Sequence, residues 1–86
     1  MEKKGLEFPC QFPLKTIGKN TGTFENVVVE IVRRHVPELE DSKISSRLSR
    51  DGKYLSVTTV FIAQSQEQLD GLYYELSTTE NVMMVL

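Results

Sequence analysis

The sequence is short of the residues on which most site chemistry depends. Cys10 is its only cysteine and His35 its only histidine in 86 residues. A single cysteine excludes an internal disulfide and fits a reducing, cytoplasmic setting. One cysteine and one histidine do not compose a metal site of the usual nitrogen and sulfur type. Covalent catalysis by Cys10 would need a base, and no helix N-terminus follows the thiol to activate it. No apolar run approaches the roughly 18 residues of a membrane-spanning helix. The opening Met1-Glu2-Lys3-Lys4-Gly5-Leu6-Glu7 has two lysines but no apolar stretch after them, so it is not a secretory signal. No block of like charge is long enough to be a tail. The net charge of −2 gives no long-range pull on nucleic acid or an anionic membrane. Glu38, Glu40 and Asp41 cluster without the spacing of a calcium loop and read as a solvated connection.

What is present is the composition of a folded domain, 40% apolar and 26% charged. A chain of this length buries roughly 60–65% of its unfolded surface, enough to fold alone with little margin. Residues 1–11, which include Pro9, read as a loose arm, and residues 12–86 as one domain. Phe12 to Ile17 forms a first strand, with Phe12 and Leu14 on one side and Lys15 and Ile17 on the other. Gly18 to Gly22 is a loop, and Thr23 is placed to cap the helix after it. Phe24, Val27, Val28, Ile31 and Val32 recur at i, i+3, i+4, i+7 and i+8, an apolar stripe of helical period. Arg33, Arg34 and His35 close that helix, where cations favour the dipole's negative end, and Pro37 stops it.

Lys43 to Ser49 alternates as a half-buried edge strand with Ile44 and Leu48 inward. Arg50-Asp51-Gly52-Lys53 signals a hairpin, since Asp-Gly tolerates the positive φ of a tight turn. The strand from Tyr54 to Ala63 follows. Ser65 and Gln68 have capping-box spacing, and Leu69, Leu72, Tyr73 and Leu76 give a second helical stripe, with Gly71 on the opposite face. Val82 to Leu86 is a last strand.

The order strand, helix, strand, strand, helix, strand is the split βαβ pattern. Right-handed crossovers put both helices on one face of a four-stranded antiparallel sheet, with the first and third strands central. The helices then cover Leu55, Val57, Phe61 and Ala63 and leave Tyr54, Ser56, Thr58, Val60 and Ile62 open. A small protein needs one apolar face on such a strand, yet this one has two. Ile17, Tyr54, Val60, Ile62, Met83 and Val85 are the candidate partner-binding residues on the uncovered side. The competing reading folds the arm back over them through Leu6 or Phe8.

Two other sites compete with the open face. The loop from Gly18 to Gly22 precedes helix amides that suit an anion, although it matches neither the dinucleotide nor the Walker pattern. The same fold also supports RNA binding by stacking bases on central-strand aromatics. Only Tyr54 is aromatic among the open positions, and the first strand adds none, so nucleic acid is the lesser alternative.

The run Phe12-Pro13-Leu14-Lys15-Thr16-Ile17-Gly18, the helix end His35-Val36-Pro37 and the hairpin Ser49-Arg50-Asp51-Gly52-Lys53-Tyr54-Leu55-Ser56-Val57 share a resemblance. With Leu72-Tyr73-Tyr74-Glu75-Leu76 and the closing Val82-Met83-Met84-Val85-Leu86, they resemble the YbeD-like family of small bacterial proteins. That resemblance implies an α+β, ferredoxin-like fold similar to ACT regulatory domains, and it supplies no catalytic residues. By analogy with ACT domains, Gly18, Asn20 and Gly22 become candidates for contact with a small metabolite. The expectation is a cytoplasmic, non-enzymatic binding or regulatory domain without cofactor or metal. Its occupant would be a protein partner, a second copy of itself or a metabolite.

Overall fold

The computed structural model describes residues 6–86. Its first strand, β1, runs Cys10–Lys19, and helix α1 runs Phe24–His35. A single 3₁₀ turn, Asp41–Lys43, leads into β2, Ile44–Leu48, and a hairpin leads to β3, Tyr54–Ala63. Helix α2, Gln66–Ser77, and β4, Val82–Val85, complete the chain. The strands lie in the order β2-β3-β1-β4, all pairs antiparallel, so the split βαβ arrangement is the one observed.

β1 starts two residues earlier than the sequence pattern indicates. Every residue of β3 has a partner on β1, from Cys10 opposite Ala63 to Lys19 opposite Tyr54. A ten-residue β3 draws the neighbouring chain into a ladder of its own length, because each unpaired backbone group at its centre would cost free energy. Leu6 and Phe8 then pack against the core rather than hanging free, with a cis peptide between Phe8 and Pro9.

The core lies between the sheet and the helices. Leu14, Val28, Val32, Val57, Leu69 and Leu72 are fully buried there. Each such aliphatic side chain contributes about 1.5–3 kcal/mol on leaving water. α1 buries Phe24, Val28, Ile31 and Val32, while Val27 falls at the margin of the stripe and stays exposed. Thr23 occupies the N-cap position without a side-chain bond to the helix, its carbonyl alone accepting from the Val27 amide at 3.0 Å. Its hydroxyl instead faces that of Thr21 at 3.4 Å.

α2 starts as its spacing predicts. The Ser65 hydroxyl accepts from the Gln68 backbone amide at 3.1 Å, and the side-chain Oε1 of Gln68 accepts from the Gln64 backbone amide at 2.7 Å. The side-chain Nε2 of Gln68 donates to the His35 backbone carbonyl at 2.9 Å, which fastens the end of α1 to the start of α2. His35 Nε2 lies 2.8 Å from Glu75 Oε1, and Arg34 pairs with the other oxygen of Glu75. Gly71 is therefore not on an outer face. It lies beneath His35, where the two helices approach.

The β2–β3 hairpin turns at Gly52, whose φ of +75° is the positive value that Asp-Gly permits. Asp51 Oδ1 accepts from the Lys53 amide at 3.1 Å and the Ser49 hydroxyl at 2.7 Å. These bonds favour the charged carboxylate and hold its pKa below 3.8.

Candidate functional site

Burial alternates along the two central strands. Phe12, Leu14 and Thr16 of β1 and Val57, Thr59 and Phe61 of β3 point to the helices. The other side of the sheet receives no helix. Across it, Lys19 stands opposite Tyr54, Ile17 opposite Ser56, Lys15 opposite Thr58, Pro13 opposite Val60 and Gln11 opposite Ile62. β2 adds Ser45 beside Thr58 and Arg47 beside Ser56. β4 adds Met84 beside Ile17, and Leu86 exchanges backbone hydrogen bonds with Lys15.

Four of the six residues expected on this face are there. Ile17 and Val60 are half-buried, Tyr54 is exposed, and Ile62 keeps 46% of its surface in water. Met83 and Val85 are not part of it. The pairing shifts between Ile17 and Gly18, so Val82 and Val85 both turn toward the core while Met84 takes the open side. This bulge breaks the two-residue alternation that the sequence pattern assumes. Met83, 57% exposed, instead faces a groove of about 550 Å³ between α2 and β4, with Tyr73, Tyr74 and Ser77. Met84 (51% exposed) and Leu86 are the open-face residues that sequence reasoning missed. Alternation could not find them, because Val82 to Leu86 is apolar at every position.

Residues 1–5 of the arm lie outside the described residues, and the described part of the arm does not provide the missing cover. Leu6 and Phe8 pack against the cluster that includes Phe12, Ala63 and Leu69, on the helix side.

Charge is divided between the layers. Lys15, Lys19 and Arg47 are the charged groups on the open strand positions, and no carboxylate shares them. Among the described residues none of the three forms an ion pair. The helices carry Glu25, Glu30, Glu67, Asp70 and Glu75 against Arg33 and Arg34. Both arginines are engaged, Arg33 with Asp41 at 2.5 Å and with the Leu39 carbonyl, Arg34 with Glu30 and Glu75.

The open face is also polar along its strands. At the hairpin end a hollow of about 270 Å³ is lined by Ile17, Arg47, Arg50, Tyr54 and Ser56. At the opposite end a hollow of about 370 Å³ brings Glu38, Glu40 and Lys43 beside Val60 and Ile62. One end is basic and the other has an acidic rim, each with apolar side chains of its own, and the Lys15–Thr58 row lies between them.

Gly18 and Asn20 of the loop have structural duties. A Cβ on Gly18 would lie 2.3 Å from the Phe24 ring and from the Asn81 carbonyl oxygen, so this glycine exists to let helix and loop approach. Asn20 donates from its side chain to the Gly52 carbonyl at 3.1 Å and from its amide to the Lys53 carbonyl at 3.0 Å. Gly22 has φ +86°, a turn value, with open space around it. Among the described residues no group of three or more His, Cys, Asp or Glu side chains is placed to hold a metal ion, and no helix is long and apolar enough to cross a membrane.

Comparison with known proteins places this architecture. The chain is 45% identical over 85 residues to a UPF0250 protein of Hahella chejuensis, covering 99% of this chain and 93% of the relative. A UPF0250 protein of Nitrosomonas europaea is 40% identical, with 99% and 98% covered. Among solved structures, protein HP0495 of H. pylori matches with a TM-score of 0.71 at 14% identity, over 99% of this chain and 89% of that one. The ACT domain of a GTP pyrophosphokinase from Chlorobium tepidum matches with a TM-score of 0.66, also at 14% identity, over 88% and 84%. The structural likenesses establish the ferredoxin-like, ACT-like fold alone. The sequence likenesses go further, and they agree with the YbeD-like resemblance read from the motifs. With its family model matching residues 3–86, the chain belongs to the family described as a protein of unknown function, DUF493.

Proposed function

We propose that this chain is a non-enzymatic binding module of the cytoplasm that docks a protein surface on the open face of its sheet. One observation carries the reading. Tyr54, Ile17 and Met84 on one side of the Lys15–Thr58 row and Val60 and Ile62 on the other leave apolar side chains across the three strands β3, β1 and β4, with neither helix nor the described part of the arm over them. An apolar area of that kind on a small protein is characteristic of an interaction site. The RNA alternative has less support, since base stacking would rest on Tyr54 alone. Metabolite binding in the first loop is also less favoured, because Gly18 and Asn20 already serve packing and loop closure.

The test compares the natural chain with Ile62→Asp, after circular dichroism has shown that the variant is folded. Each is immobilised, exposed to bacterial lysate and to the soluble natural chain, and assayed for retained protein. Retention by the natural form and loss by the variant supports docking on this face. Equal retention by both, or retention by neither, rules it out.

A further inference from the structure

We propose that the occupant of the open face is a second copy of this chain, stacked sheet to sheet about a two-fold axis perpendicular to the strands. The inference rests on reading that face as a docking surface. It is carried by the opposite charges at the two ends of the face.

Two packed sheets lie about 10 Å apart with their strands nearly aligned. A two-fold axis in the plane between them offers two simple arrangements. With the axis along the strands, each hairpin end meets the other hairpin end, so Lys19, Arg47 and Arg50 of both copies gather at one end of the stack and Glu38 and Glu40 of both at the other. With the axis across the strands, the ends exchange. Arg47 and Arg50 then face Glu38 and Glu40 of the second copy, and the reverse contact forms by symmetry. Only the second arrangement brings unlike charges together.

The apolar rows agree with that arrangement. Counting from the Lys15–Thr58 row at the centre, the Ser56 row meets the Val60 row and the Tyr54 row meets the Ile62 row. Ile17 covers Pro13 of the second copy, Ser56 covers Val60 and Tyr54 covers Ile62, while Met84 lies outside these rows on β4. Each charged end contributes orientation and partner choice more than affinity, since exposed ion pairs are individually weak. The contact is isologous and closes at two copies, whereas sheet on helix would pair unlike charges too but leave both outer surfaces free to continue.

Two residues oppose the pairing. Lys43 lines the hollow beside Glu38 and Glu40 and is brought toward Arg47 and Arg50. Lys15 lies on the central row and meets its own copy across the axis. The stack therefore predicts that Lys15→Met strengthens self-association. An acidic partner of another kind would instead be weakened by the same change.

The experiment is sedimentation equilibrium over a range of protein concentrations. The natural chain is expected to dimerise, Ile62→Asp to remain monomeric, and Lys15→Met to dimerise more tightly. Two charge-reversed chains are then prepared, Glu38→Lys with Glu40→Lys, and Arg47→Glu with Arg50→Glu. Each alone is expected to associate about tenfold more weakly, since reversal turns attraction into repulsion at both ends. Mixed together they regain natural affinity, because every contact in the mixed dimer is again between unlike charges.

A natural chain that stays monomeric overturns the pairing, and the lysate arm above then decides separately whether the face docks another protein. A dimer insensitive to Ile62→Asp overturns the pairing on this face, and the lysate arm again decides the docking reading. A dimer whose charge-reversed chains gain nothing on mixing overturns the axis proposed.

Discussion

The Cε1 atom of His35 lies 3.4 Å from the point that a Cβ on Gly71 would occupy. That is ordinary van der Waals contact, so the approach of the two helices does not require glycine. Gly71→Ala removes the backbone freedom of glycine in mid-helix and adds a methyl group that fits against the imidazole. The substitution is expected to stabilise the protein by about 1 kcal/mol, read as a rise in denaturation midpoint. A loss of stability would show that the His35–Glu75 contact does not tolerate even a methyl group beneath it.

Gly18 answers differently to the same change. Its missing Cβ leaves room for the Phe24 ring and for the backbone oxygen of Asn81, each 2.3 Å from where that atom would stand. A ring can turn, but the Asn81 carbonyl also accepts the Lys19 amide at 3.0 Å and cannot withdraw without losing that bond. Gly18→Ala is expected to cost about 3 kcal/mol, the upper range for overpacking a tight interior. Urea unfolding of the two forms measures it, and a cost near zero would mean that the α2–β4 connection is free to shift.

Tyr73 carries the clearest dependence on pH. Its ring packs edge-on to Phe12 at 6.5 Å, and its hydroxyl is buried without a hydrogen-bond partner. Burial raises its pKa above 10.0. The unfolded chain therefore ionises first, so stability is intact below pH 10 and is lost as pH climbs from there through the folded value. Tyr73→Phe removes an unsatisfied group at nearly constant shape and is expected to stabilise by about 1 kcal/mol. Thermal melts between pH 8 and 11 (a window set around the tyrosine value) should show a smaller alkaline decline in the variant. An unchanged decline would place its origin elsewhere.

The architecture was legible because each element has a local signature that its packing agrees with. Asp51-Gly52 turns where Asp-Gly should, Ser65 caps α2 as its spacing demands while Gln68 reaches one residue further back to Gln64, and β3 divides its residues between faces as alternation requires. What escaped notice depends on contacts between distant segments. The glycines at 18 and 71 look alike in sequence, yet one is a packing necessity and the other sits under a histidine on another helix. The face of β4 was not legible, since an all-apolar run gives no preference and the bulge that sets its register forms against Ile17 and Gly18. The charge division of the open face was hidden by the net charge. It needs the cross-strand register that sets Lys15, Lys19 and Arg47 together and holds Glu38 and Glu40 beyond Ile62.

Three connections meet where β1 ends. Asn20 holds the β2–β3 turn through Gly52 and Lys53, Lys19 holds the α2–β4 turn through Asn81, and Phe24 fills the gap over Gly18. Asn81 has φ +74°, a left-handed value that asparagine tolerates better than most residues. Releasing any one of these loops exposes the contacts that keep the other two in place. In the language of hydrogen exchange, the amides of Lys19, Asn20 and Val82 belong to one opening event. Residues more than thirty apart in the chain become accessible to solvent together, and that end of the sheet opens as a unit.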